Sequence, residues 1–161
     1  MVEESITLGV IIEKRKAQSP WIEHIWAVHS VLTGLPDAAP LTRIAREEGV
    51  ERFYLGAADL VLSNVETANY RDNLMSGAPK LWVVLRFDAS ETPSLLTVTA
   101  DPAEGEAHTE TEANHVETVT MASDIAGFIA AFVDAHHVER AFIKRKRDKP
   151  DDPRRPREGK P

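Results

Sequence analysis

Six histidines, His24, His29, His108, His115, His136 and His137, are the side chains of this 161-residue chain best suited to metal ligation or to proton transfer near neutral pH. A metal needs several of them to converge, and their spacing argues against that. His24 and His29 are five apart, on opposite faces of a strand and poorly aligned on a helix, and neither belongs to a His-Glu-x-x-His pattern. His136 shares an apolar stripe with Ile125 and Phe132, so it reads as a half-buried histidine near a helix C-terminus. His108 and His115 sit among acids and are expected in solvent. Carboxylates come in runs such as Glu110-Thr111-Glu112, the pattern of a solvated face. Neither a Gly-x-Ser-x-Gly elbow nor a glycine-rich phosphate loop occurs. With no cysteine, disulfides, thiolate metal sites and thiol nucleophiles are excluded. No catalytic residue and no metal ligand is assigned, and the chain reads as a binding protein rather than an enzyme.

Residues suited to binding are easier to name. Trp21, Trp26 and Trp82 all suit core packing, and Trp21, after Ser19-Pro20, is the best candidate among them for an exposed platform. Arg71 and Arg86 join it as residue types that dominate interfaces when they lie on a surface. A third group is Lys144, Arg145, Lys146 and Arg147, four consecutive cations behind the apolar pair Phe142-Ile143. Residues 140–161 hold ten Lys or Arg against four Asp or Glu, about +6, which leaves about −13 on residues 1–139. An apolar anchor with a charged lead suits an acidic protein surface, whereas nucleic acid is disfavoured by the acidic body.

The elements that must position these residues are mostly strands. Residues 6–13 are rich in β-branched side chains and read as a strand, and residues 21–32 fit a strand better than a helix. Residues 41–46 and 51–55 flank a hairpin connection at Glu47-Glu48-Gly49, and residues 57–63 continue as a further strand. The polar stretch 64–75 suits a helical turn or an ordered loop. Residues 80–87 and 95–100 form a core hairpin, 101–115 read as an acidic mobile loop, and 116–121 as a last strand. Ser123 offers an N-cap for a helix whose Ile125, Phe128, Ile129, Phe132 and Val133 form an apolar stripe. The expectation is a mainly β (α+β) fold: an antiparallel sheet or partly closed barrel of six to seven strands with one C-terminal helix. Residues 1–143 form the domain and 144–161 a disordered basic tail. No apolar run approaches the roughly 18 residues that span a bilayer, and the acidic start lacks signal-peptide character, so a cytoplasmic location without membrane contact is expected.

The set Leu8-Gly9-Val10-Ile11-Ile12-Glu13-Lys14-Arg15, Ser19-Pro20-Trp21 and Trp26, Glu66-Thr67, Tyr70-Arg71, Asn73-Leu74, residues 82–86, and Phe132-Val133 with His136-His137-Val138 and Phe142 before the basic run resembles the bacterial domain-of-unknown-function family 3305 (DUF3305). The order and spacing of the set carry the resemblance. It implies a gene neighbourhood with formate dehydrogenase, and members are sometimes labelled as molybdopterin-guanine dinucleotide biosynthesis proteins. On that basis the expected function is a non-catalytic accessory factor for maturation or assembly of a molybdenum- or tungsten-dependent formate dehydrogenase, with that enzyme or its maturation machinery as the protein partner. No resident cofactor is expected, and a molybdopterin nucleotide enters only as a transient ligand. Two alternatives remain: an enzyme or carrier of that nucleotide, using Arg86, Arg71 and Lys14 on phosphates and Trp21 on the ring, and a nucleic-acid-binding regulator using the basic tail.

Overall fold

A computed structural model describes residues 1–139. Strands β1 (Glu3–Lys16), β2 (His24–Leu32), β3 (Thr42–Glu47) and β4 (Val50–Ser63) form one antiparallel sheet in the order β2-β1-β4-β3. Strands β5 (Lys80–Phe87), β6 (Pro93–Thr99) and β7 (Asn114–Thr120) form a second, in the order β6-β5-β7. The helices are α1 (Thr67–Leu74), α2 (Pro102–Ala107) and α3 (Ser123–His136), with 3-10 turns at Asn64–Glu66 and His108–Glu110. The mainly β, α+β class agrees with the sequence. In place of the expected single sheet or partly closed barrel, the described residues form two antiparallel sheets, and they carry three helices rather than one. Where β2 and β7 run side by side, the Glu117 carboxylate accepts the Val28 N–H at 3.2 Å, so a side chain bridges the gap between the sheets.

Period-two alternation places Leu8, Val10 and Ile12 of β1 on the inner face, all fully buried, where they share one core with Leu60 and Leu62 of β4 and with Leu81, Val83 and Leu85 of β5. Ile125, Ile129 and Phe132 of α3 complete this core. Phe128, expected beside them, is only partly buried at the rim of the cluster. The five consecutive buried residues 81–85 show that β5 is covered on both faces. Its outer cover is α2: a Cβ built on Gly105 would lie 2.2 to 2.7 Å from the Trp82 indole, so helix backbone rests directly on the ring.

That helix corrects the reading of 101–115 as a mobile loop. Asp101 caps it, accepting the Ala103 N–H at 2.9 Å, and Pro102 takes the first turn, where a missing N–H costs nothing. The segment is anchored as well as capped. Asn69 of α1 donates to Asp101 at 3.1 Å, and the Thr99 hydroxyl donates to Glu104 at 2.8 Å. β4 is one strand, not two; Gly56, at φ 149°, sits at a bulge that shifts the register and lets pairing continue. The N-cap of α3 is Ala122, not Ser123, and Asp124 accepts the Ile125 N–H instead.

Buried Asn73 clasps α1 to one end of the second sheet. Its amide donates to the Lys80 and Ala100 carbonyls at 2.8 and 3.0 Å and accepts the Lys80 N–H at 3.0 Å. Tyr70, its neighbour in α1, lies edge-on to Phe132 and has its pKa raised chiefly by burial. Gly9 serves closeness of another kind: a Cβ there would stand 2.9 Å from Leu35, in the loop that folds over the outer face of β1.

Two glycines in helices should respond oppositely to alanine. Gly127→Ala faces open space and should stabilise by about 0.5–1 kcal/mol through helix propensity. Gly105→Ala should destabilise by about 1–3 kcal/mol because the methyl group displaces Trp82. Denaturant midpoints of the two variants check this. A second expectation concerns Asp124, whose pKa is held below the usual carboxylate range first by the Thr33 hydroxyl, which donates to it at 2.6 Å. A depressed carboxylate adds stability above its unfolded pKa and loses it as pH falls through the folded one. Thr33→Val should therefore raise the Asp124 pKa and weaken the fall of stability on acidification, read by carboxyl NMR titration.

Candidate functional site

The two ends of the molecule differ in chemistry. At one end, β1 finishes at Lys16 opposite His24, and the 17–23 turn that joins β1 to β2 meets the 88–92 turn that joins β5 to β6. Between them lies a cleft of about 380 Å³ lined by Lys14, Trp21, His24, Trp26, Glu91 and Thr92, among others. Trp26 and Lys14 are cross-strand partners on the inner face, with the ammonium 5.1 Å from the ring centroid, a cation–π pair. Phe53 of β4 packs on Trp26 at 5.4 Å between centroids. Trp21, at the rim of this cleft, is 91% exposed, with Ile22 and Ile25 each 53% exposed. Its ordering is local: the Trp21 N–H donates to the Ser19 hydroxyl at 3.2 Å, and the Ala17 N–H to the Glu23 carbonyl at 3.0 Å.

Charge marks the same end. Lys14, Arg15, Lys16, Arg43, Arg46 and Arg52 all lie on the last part of β1, on β3 or at the start of β4. Glu13, buried on the outer face, holds two of them: Arg15 at 3.0 Å and Arg52 at 3.7 Å. By contrast residues 87–139 contain eleven Asp or Glu and no Lys or Arg.

The opposite, helical end is built where β4 runs into α1 and α3 terminates. There Asn64, Thr67, Arg71, His136, His137 and Glu139 help line a cavity of about 600 Å³. The Arg71 Nη1 donates to Glu139 at 2.9 Å and to His137 Nε2 at 3.1 Å. A guanidinium only donates, so His137 accepts through Nε2 and carries its hydrogen on Nδ1, 3.0 Å from the Thr67 hydroxyl. Thr67 passes the chain on to the Asn64 carbonyl at 3.4 Å. His136, half-buried as expected, stacks on Phe132 at 4.6 Å and stands 3.8 Å from Glu4.

The sequence candidates are therefore divided between two places. Trp21 is exposed as expected. Arg86 is exposed near the far end of β5, bonded through Nε to Asn114 at 3.0 Å, six residues or about 20 Å of strand from the Lys80 end to which α1 is clasped. Arg71 and Arg86 cannot act on one small ligand. Trp82 is a structural residue under α2. Lys144, Arg145, Lys146 and Arg147, like Phe142 and Ile143, lie outside the described residues. Ile22, Ile25 and the 88–92 turn went unmarked in the sequence, since nothing local tells an exposed isoleucine on a turn from a buried one. The Arg71–His137–Thr67 chain went unmarked because its members are far apart in sequence. Among the described residues, no group of three or more His, Asp or Glu converges to hold a metal, and no helix is long and apolar enough to cross a membrane.

Two antiparallel sheets of four and three strands, with an exposed aromatic and cationic end, define a mainly β fold of the α+β class. The chain belongs to the family described as Protein of unknown function (DUF3305), which matches residues 7–147. Neither a curated protein nor a solved structure gave a match.

If Trp21 projects from the surface, Trp21→Phe should remove the emission component most readily quenched by acrylamide. It should also leave the unfolding free energy within about 0.5 kcal/mol of the parent.

Proposed function

We propose that this chain is a non-catalytic accessory factor that docks a partner protein through the end that carries Trp21, in the maturation or assembly of a molybdenum- or tungsten-dependent formate dehydrogenase. The observation that carries the docking part is the pair Trp21 and Ile22, both exposed and lining one cleft with Lys14. Isolating a Trp from any cover exposes a large apolar area, and Trp is the residue type that most often dominates protein interfaces. The surrounding cations favour an acidic rim on the partner. The choice of formate dehydrogenase rests on the gene neighbourhood that the family resemblance implies.

A second reading has its own support. The cleft between the two turns sets Trp21 and Trp26 beside Lys14, a pairing of ring and cation that suits a planar heterocycle bearing phosphate, and so a carrier of the molybdopterin nucleotide. Arg71 takes no part in such a site.

The test is to purify the tagged chain from its native host and identify by mass spectrometry what accompanies it. Recovery of formate dehydrogenase subunits or their maturation proteins is the expected result, and a pterin nucleotide recovered instead supports the carrier. Trp21→Ala combined with Ile22→Ser should weaken partner binding about 30-fold, the factor that a 2 kcal/mol hot spot represents, and should lower formate dehydrogenase activity in cells. Unchanged activity at normal abundance of the variant would remove this end from the interface.

A further inference from the structure

We propose that the cavity between α1 and the end of α3 is a binding site for a small organic monocarboxylate, anchored by Arg71 and occupied from within by the Glu139 side chain. Its volume, about 600 Å³, falls within the roughly 300–1,000 Å³ typical of small-molecule sites. Arg71 is held for the task. Its Nη1 is fixed by His137, which is fixed by Thr67, which is fixed by the Asn64 carbonyl. Both described contacts of the guanidinium use Nη1, so Nη2 and Nε remain to form the two parallel bonds by which arginine grips a carboxylate.

Glu139 shows the chemistry the position accepts, because its carboxylate already sits 2.9 Å from Nη1. It is a weak occupant. Its side chain is 77% exposed, and water screens an ion pair of that kind. A carboxylate that also reaches Nη2 and Nε would displace it, with Val65, Ala68 and Val138 of the lining available to an apolar body. Asp72 and Glu139 line the same cavity, so a phosphate dianion would meet two like charges where a monocarboxylate meets less repulsion. This site lies at the end of the molecule opposite Trp21 and does not depend on the docking reading.

The experiment uses the full chain, benzoate as the carboxylate probe and inorganic phosphate as the comparison, and follows the Arg71 Nε–Hε signal by NMR. Saturable movement of that signal with benzoate is expected. Glu139→Gln should tighten benzoate binding about two- to fivefold, the range an exposed ion pair represents. Arg71→Lys, which keeps the charge but loses the fork, should weaken it about tenfold with unchanged circular dichroism. Arg71→Gln serves as the second variant should the first disturb the helix. An Arg71 signal unmoved by benzoate, equal binding by the Arg71 variants, or tighter binding of phosphate than of benzoate would each overturn the proposal.

Discussion

β1 and β4 pair from Glu3 against Ser63 to Arg15 against Val50, and every other element takes its position from that ladder. A 14-residue strand hydrogen-bonded on both sides fixes its own register strongly, because a slip of one residue would turn Leu8, Val10 and Ile12 out to water. The ladder's two ends are about 40 Å apart at strand rise, longer than the second sheet. One end carries the Trp21 turn after Lys16, and the far end delivers Ser63 to the start of α1. One long pairing thus separates two chemically distinct surfaces and holds them on a rigid body.

The distribution of charge follows the same axis. Six of the nine Lys and Arg among the described residues lie near the Trp21 end, and the second sheet with α2 and α3 carries acids with no cation from residue 87 to residue 139. Among residues 1–139, the cations and the acid-only stretch therefore lie on different parts of the molecule.

Elements with a strong period or composition were legible in the sequence: the alternating β1, the apolar β5 and the stripe of α3. Their surroundings were less so. The 101–115 segment looked like a loop because Gly105 and many acids dominate its composition. The cap signal Asp101-Pro102 was there to be read, but the reason for Gly105 lies on Trp82, 23 residues earlier. Gly56 looked like a break because a bulge is a property of two strands, and one strand alone does not show it. Trp21 was legible as a surface residue through the Ser19-Pro20 turn before it. Arg71 was legible as a binding type, but its partners His137, Thr67 and Glu139 assemble only when α1 meets the end of α3, a contact that no local pattern encodes.

The β1–β4 ladder also sets an order of assembly. Its Arg15–Val50 end closes 35 residues of chain and its Glu3–Ser63 end closes 60, a difference of about 0.5 kcal/mol in loop entropy that favours zipping from the former. The β1–β2 and β3–β4 hairpins are local and meet at that same end. The surface that carries Trp21 is therefore organised early in folding, while the Arg71 cavity waits for the last helix. On a ribosome the first could meet a partner before the second exists.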